Sequence, residues 1–171
     1  TRTTAVRVEF DGAVFFTLEL RADQAVDISD IQLQLPLRQE TVPYLMGMGQ
    51  RGGRAPESLL WRWKDTGSSL LWQGDVHAGL QLKLERENET WGDSGEMNGK
   101  QATPPLSWDN RGRGICRVKR LPGNVAMTEI STGKRTMKAG DTLRFHFRLL
   151  VTPFKRLNPG FWNYRWQSQW G

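Results

Sequence analysis

Residues 143–151 read LRFHFRLLV, and this short stretch decides the fold class that the sequence predicts. Apolar side chains occupy every second position, and the positions between the first of them hold Arg144, His146 and Arg148. A repeat of two residues is the period of a β-strand, because successive side chains point to opposite faces of a sheet. The stretch therefore predicts a long strand with one face buried, which ends before Pro153.

The same two-residue alternation occurs along most of the chain. Residues 6–20 alternate on both sides of Asp11-Gly12, a dipeptide that favours a tight hairpin. Residues 31–37 also alternate, and Pro36 lacks a backbone N–H, so this strand is expected at a sheet edge or a strand end. Shorter strands are predicted at residues 59–64, 68–73, 79–86, 114–119 and 124–131. No long helix is predicted.

The composition is that of one folded domain. The 171 residues include eight Trp and seven Phe, which is too aromatic for a disordered chain. Nine or ten short strands separated by turn residues favour an all-β fold, an antiparallel β-sandwich with little helix. We expect this sandwich to span residues 1–160 and residues 161–171 to form a linker. No apolar run approaches the ~20 residues that cross a bilayer, so no membrane span is predicted.

Groups that could carry out catalysis or bind a metal are few and scattered. No two acids share a spacing on one strand face that would select a glycosidase pair. Neither His77 nor His146 accompanies a Gly-x-Ser-x-Gly turn, and two isolated histidines with the single Cys116 make a weak zinc site. The sequence therefore predicts no catalytic residue, no metal and no cofactor. One cysteine leaves the cellular compartment undetermined.

The net charge of +6 raises the alternative of a nucleic-acid partner. Residues 47–57, GMGQRGGRAPE, form a basic glycine-rich loop in which Arg51 and Arg54 could contact phosphates, with Trp61 and Trp63 as stacking platforms. The loop lacks the phosphate-binding pattern G-x-x-x-x-G-K-[ST], however, and the 24 basic residues are interleaved with 18 acids. We expect a basic hairpin loop here and no nucleic-acid partner.

The long segment 87–113 contains the candidate site for a sugar. The apolar face of a pyranose stacks on an indole ring, while polar neighbours form hydrogen bonds with its hydroxyl groups. The residues of this segment that fit such a site are Trp91, Asp93, Trp108, Asp109 and Asn110. A tryptophan flanked by Gly and Pro can instead plug the open end of a sandwich, and this plug is the preferred interpretation.

Several short motifs follow one another in order between residues 68 and 166. They are Trp72-Gln73-Gly74-Asp75, Ala78-Gly79-Leu80, Trp91, SWDNRGRG at residues 107–114, and RLLVTPFK at residues 148–155. In this combination they resemble the N-terminal β-sandwich domain of glycoside hydrolase family 123 and its uncharacterised relatives. The resemblance implies that the sandwich precedes a (β/α)8 barrel, which hydrolyses N-acetylgalactosaminides through an adjacent Asp-Glu pair. The present sequence has no Asp-Glu dipeptide.

The resemblance implies an accessory domain without catalytic residues of its own. Its expected partner is the catalytic barrel of the same parent chain, and its long loop would shape one wall of a glycan cleft. The predicted interdomain contacts are Asp75, His77, Phe161, Trp162 and Trp166. A carbohydrate-active parent would favour an extracellular or periplasmic location. The alternatives are a free-standing carbohydrate-binding module and, less favoured, a complete small hydrolase.

Overall fold

The structure is a computed structural model that describes residues 1–63, 69–86 and 105–153. The described residues form twelve strands and one short α-helix. The strands are β1 (Arg2–Val8), β2 (Ala13–Arg21), β3 (Val26–Ile28), β4 (Gln32–Arg38), β5 (Tyr44–Gly47), β6 (Ser58–Trp61), β7 (Leu70–Gly74), β8 (Gly79–Glu85), β9 (Ile115–Leu121), β10 (Val125–Ser131), β11 (Arg135–Met137) and β12 (Thr142–Thr152), and the helix is α1 (Leu106–Asp109). A single 3-10 turn covers Gln39–Thr41 within these ranges.

Two antiparallel sheets lie on either side of the core. The larger sheet has the strand order β1-β2-β12-β8-β7-β5, and the smaller has the order β4-β10-β9-β6. β11 and β3 form a separate two-stranded sheet. The predicted all-β antiparallel sandwich is confirmed, with three strands that the sequence did not indicate. Those strands, β3, β5 and β11, have only three or four residues each, too few to show an alternating pattern.

The strand that LRFHFRLLV predicts is β12, which pairs with β2 on one side and β8 on the other. Phe145 lies opposite Leu18 and is completely buried. Phe147 lies opposite Phe16, and their rings stack with centroids 4.6 Å apart. Apolar residues thus meet apolar residues across the strands, and this face of β12 becomes part of the core.

The core is built from both sheets and from the helix. Leu71, Leu82 and Leu84 come from the larger sheet, whereas Val118 and Ile130 come from the smaller one. Also within the core are Trp61 and Trp63, whose rings meet edge to face at 4.9 Å. These two indoles therefore offer no exposed face for stacking on a nucleic-acid base.

Two local predictions of strand placement are confirmed. β1 and β2 form the predicted hairpin, with Val8 opposite Val14 on either side of the Asp11-Gly12 turn. β4, which contains Pro36, is an edge strand of the smaller sheet. The predicted domain boundary at residue 160 lies outside the described residues and stays a prediction. Within the described ranges, no helix has the length and hydrophobicity to cross a bilayer.

The larger sheet is two strands wider than the smaller one. β1 lies at its outer edge, and all seven residues of β1 are exposed. Val6 and Val8 lie opposite Phe16 and Val14, so their side chains are on the core-facing side of the sheet, yet both are exposed. This feature, which we call the apolar overhang, consists of Val6, Val8 and the inward faces of Val14 and Phe16 next to them.

Replacing Phe145 with alanine is expected to lower the free energy of unfolding by about 3–5 kcal/mol, because it leaves a cavity against the rings around it. Urea denaturation of the two proteins measures this difference. Leu60→Ala is the control, since Leu60 lies on the exposed side of β6, and its effect should stay within about 0.5 kcal/mol. Equal effects of the two substitutions would contradict the assignment of the core.

Candidate functional site

The hairpin of β7 and β8 contains the first motif of the family resemblance. The indole of Trp72 lies across the glycines of this hairpin, so that a Cβ atom at Gly79 would be 2.4 Å from the ring and one at Gly74 would be 2.6 Å away. Trp72 Nε1 donates a hydrogen bond of 2.9 Å to Thr152 Oγ1 at the end of β12. Glycine is therefore required so that the ring can lie against the backbone. Trp72 joins the hairpin to the central strand.

Asp75 closes the turn of the same hairpin. Its Oδ1 accepts hydrogen bonds from the backbone N–H groups of His77 at 2.7 Å and Ala78 at 2.8 Å. The backbone hydrogen bonds from Ala78 and His77 lower the pKa of Asp75 below its usual value. His77 and Val76 are exposed at the tip of the turn. Asp75 thus has a structural role, and His77 is accessible to another surface.

Trp108 fills the end of the sandwich beside β12. Only 2% of its surface is exposed. The centroid of its ring lies 4.9 Å from that of Phe145 and 6.0 Å from that of Phe147, both in an edge-to-face arrangement. Its Nε1 donates a hydrogen bond of 3.0 Å to the carbonyl oxygen of His146. The indole is buried as a plug would be, so the structure favours the plug over a sugar-stacking platform.

The two polar residues after Trp108 hold the corner in which this ring lies. Asn110 adopts a left-handed backbone conformation, and its Nδ2 donates to the carbonyl oxygens of Thr132 at 2.8 Å and Lys134 at 3.0 Å. Asp109 is also buried, and its Oδ2 accepts the N–H of Gly112 at 2.9 Å. The motif SWDNRGRG therefore builds a corner that fastens α1 to the connection between β10 and β11.

The other candidate residues lie outside the described residues. Trp91 and Asp93 belong to residues 87–104, and Phe161, Trp162 and Trp166 belong to residues 154–171. Of the five candidate sugar-binding residues, the described part of the chain brings together Trp108, Asp109 and Asn110. Trp108 and Asp109 are buried in the corner, and the half-buried Asn110 bonds to its backbone.

Asp30 is a partly buried corner carboxylate that the sequence analysis missed. It accepts five hydrogen bonds of 2.6–3.0 Å, from the backbone N–H groups of Ile31, Thr132 and Gly133 and from the side chains of Gln32 and Ser131. Burial tends to raise the pKa of Asp30, but these hydrogen bonds outweigh it and the pKa is lowered. The carboxylate fastens the start of β4 to the end of β10. No local sequence pattern signals this, because Asp30 and Ser131 are 101 positions apart.

The remaining groups with chemical potential are also held in structural positions. Cys116 is fully buried, and burial raises the pKa of its thiol to about 12, so it stays protonated and unreactive in the folded chain. His146 lies on the outer face of the larger sheet, with Nδ1 3.1 Å from Thr17 Oγ1. Among the residues that the structure describes, no three His, Cys, Asp or Glu side chains are grouped as metal ligands would be.

Taken together, these contacts define an all-β sandwich domain whose motif residues hold its own turns and corners. The chain belongs to glycoside hydrolase family 123: residues 1–153 match the family described as "Glycoside hydrolase 123, third domain". No curated protein matches the chain. The family that the motifs indicated is therefore confirmed. The expected N-terminal position is not confirmed, since the description names a third domain.

Replacing Trp108 with alanine is expected to lower the free energy of unfolding by about 3–5 kcal/mol, because the buried plug would become a cavity. Thermal and urea denaturation measure this loss. Leu106→Ala on the same helix is the matched control, since Leu106 is 73% exposed and should change the stability by no more than about 0.5 kcal/mol. A Trp108→Ala protein with unchanged stability that has lost sugar binding would restore the platform interpretation.

Replacing Asp30 with asparagine is expected to destabilise the chain by about 1–2 kcal/mol at neutral pH. The charged carboxylate that accepts the hydrogen bonds is lost, and the effect is moderate because solvent partly screens this charge. The folded pKa lies below the ordinary 3.8, so the carboxylate stabilises the fold above that pH and loses this effect as the pH falls through the folded value. The difference between the two proteins should therefore shrink on acidification. Urea denaturation at neutral pH and at pH about 3 checks it, and a difference independent of pH would contradict it.

Proposed function

We propose that this chain is a non-catalytic accessory domain of a larger glycoside hydrolase of family 123, and that it packs against the catalytic barrel of the same parent chain. The observation that carries this proposal is the use of the motif residues. Asp75 accepts backbone N–H groups of its own turn, and Asn110 donates to backbone carbonyl groups of the β10–β11 connection. Trp72 lies over the glycines of its own hairpin, and Trp108 packs in the core. The motifs thus support a structural role.

Two of the described acids are consistent with the same proposal. Asp30 and Asp75 each accept backbone hydrogen bonds that lower their pKa. A catalytic acid of a glycosidase needs the opposite, a raised pKa that keeps its proton for the leaving group. These two carboxylates are therefore poor proton donors, and the proposal assigns the catalytic pair to the partner barrel.

Exposed apolar residues at one end of the larger sheet provide a surface for such packing. Strand register places the ends of β1, β7 and β12 and the starts of β2 and β8 at this end. The exposed residues there are Val8 at 69%, Phe10 at 90%, Val76 at 78% and Val151 at 56%. We call them the apolar end. Apolar side chains gathered on one surface are typical of an interaction site, and His77 lies in the turn beside Val76.

The free-standing carbohydrate-binding module is less well supported. Among the described residues, the outward positions of β4, β6, β9 and β10 carry Gln32, Gln34, Arg117, Lys119, Glu129 and other side chains without an aromatic ring. A sheet face that binds sugars needs aromatic platforms. Glu129 there is paired with Arg117 at 3.5 Å and with Lys119 at 3.8 Å. The outer face of the smaller sheet is thus a polar and charged surface without an aromatic platform.

The proposal predicts that this chain, produced separately from the barrel of its parent protein, binds that barrel in solution. Phe10→Asp and Val76→Asp should each weaken the association by about tenfold or more, because a carboxylate would replace an apolar contact. Isothermal titration calorimetry measures the affinity. Leu60→Asp is the control, because Leu60 is also exposed, at 54%, but lies on β6 in the other sheet.

Two results would contradict the proposed function. Hydrolysis of an aryl N-acetylgalactosaminide by this chain alone would make it an enzyme rather than an accessory domain. Binding of a glycan by the isolated chain, with no measurable affinity for the barrel, would favour the carbohydrate-binding module.

A further inference from the structure

The two large sheets have four outer edges, and three of them are protected against pairing with another strand. β4 contains Pro36, β6 has only four residues, and β5 is paired with the segment that follows it through bridges from Tyr44 to Arg54 and from Gly47 to Gln50. β1 is different: it has seven residues, no proline and an exposed side chain at every position. An edge of this kind is a template for a further strand.

Hydrogen bonds show which backbone groups of β1 are free. Thr1 and Arg21 exchange two backbone hydrogen bonds of 2.9 Å, and Glu9 donates one of 2.8 Å to Ala13. In an antiparallel pair, residues that bond to the neighbouring strand alternate with residues that point away from it. The odd-numbered residues of β1 therefore bond to β2. The N–H and C=O groups of Arg2, Thr4, Val6 and Val8 point to the open side.

The same four residues form one face of the strand. Val6 lies opposite Phe16 and Val8 opposite Val14, so their side chains are on the core-facing side, in the apolar overhang. Val6 is 55% and Val8 69% exposed. At the other end of the strand, Arg2 forms no ion pair with any described residue. Within the described chain, the open edge thus presents two valines at one end and an unpaired cation at the other.

We propose that β1 receives an extended segment of a neighbouring domain of the same parent protein as an added antiparallel strand. The segment carries apolar side chains opposite Val6 and Val8 and a carboxylate opposite Arg2. Strand addition gives affinity through the backbone, and alternate side chains give specificity. This inference rests on the proposed function for the source of the segment, and it names the surface and the chemistry of the contact.

Sequence and charge argue against the other occupants, which the chain itself would supply. Residues 87–104 contain four acidic side chains, but no two large apolar side chains lie two positions apart there, as contacts with both Val6 and Val8 require. If a second copy of the chain paired antiparallel with β1 through all four free positions, Arg2 of each copy would lie opposite Val8 of the other and would gain no acid. The chain's own residues 154–171, FKRLNPGFWNYRWQSQWG, contain three basic residues and no acidic side chain. A second copy and residues 154–171 therefore place no side-chain carboxylate opposite Arg2, whereas a segment of another domain can supply both the carboxylate and the alternate apolar side chains.

The probe for this edge is an acetylated and amidated peptide, Val-Thr-Val-Thr-Val-Thr-Glu, whose alternate residues would face Val8, Val6, Thr4 and Arg2. Its binding to the full chain is followed by nuclear magnetic resonance and amide hydrogen exchange. The amides of Thr4, Val6 and Val8 should become protected, and those of Thr3 and Ala5, which already bond to β2, should change little. Protection of no β1 amide would overturn the proposal.

Two substitutions test the contact itself. Val6→Pro removes a free N–H without removing a bond to β2, and it should weaken peptide binding by about tenfold. Val6→Thr, which keeps the N–H, is the control and should weaken it by no more than about threefold. Arg2→Glu should weaken binding of this peptide and favour a peptide in which lysine replaces the final glutamate. An unchanged preference for the glutamate peptide would overturn the proposal.

The outcomes separate this inference from the proposed function. If the chain binds the parent barrel and Val6→Pro leaves that affinity unchanged, strand addition is wrong while the accessory role stands. If β1 amides become protected as the concentration of the chain alone rises, the occupant is a second copy, and the inference is wrong. If the barrel does not bind at all but the peptide does, the edge is a strand acceptor and the proposed function fails.

Discussion

The structure depends on the burial of one face of β12. This strand is paired on both sides, with β2 and β8, and its alternate apolar residues form the floor of the core. Phe145 is the centre of this floor, because Leu18 lies beside it and the indole of Trp108 lies over it. The other connections converge on the same strand: Trp108 bonds to the carbonyl of His146, and Trp72 bonds to Thr152 at its end. The sandwich is thus assembled around one strand that is paired along both of its edges.

The motifs that indicate the family are explained by this assembly. Trp, Asp, Asn and Gly are the residues that sugar sites use, and they are also the residues that tight corners use. Asn110 needs its left-handed conformation and its amide to reach Thr132 and Lys134, and a Cβ at Gly114 would lie 2.1 Å from the carbonyl oxygen of Trp108. The composition of the motif alone does not separate the two roles, because the difference lies in which atoms the side chains face.

Strand positions could be predicted from the sequence because alternation is a local property. The β1–β2 hairpin and the edge position of Pro36 follow from a few neighbouring residues. The candidate site could not be predicted in the same way. The contact of Asp30 with Ser131 joins residues far apart in the chain, and the burial of Trp108 depends on how α1 meets β12. Such contacts are fixed by the packing of elements and leave no period in the sequence.

The single buried thiol allows the opening of the sandwich to be measured chemically. Cys116 lies on β9, between β10 and the short edge strand β6, opposite Ile130 and Trp61. A reagent that attacks thiolates must wait until β6 separates from β9 or the whole domain unfolds. Because the chain has one cysteine, every labelled molecule reports the same event. The rate of thiol labelling therefore measures how often the smaller sheet, which does not contain β1, opens.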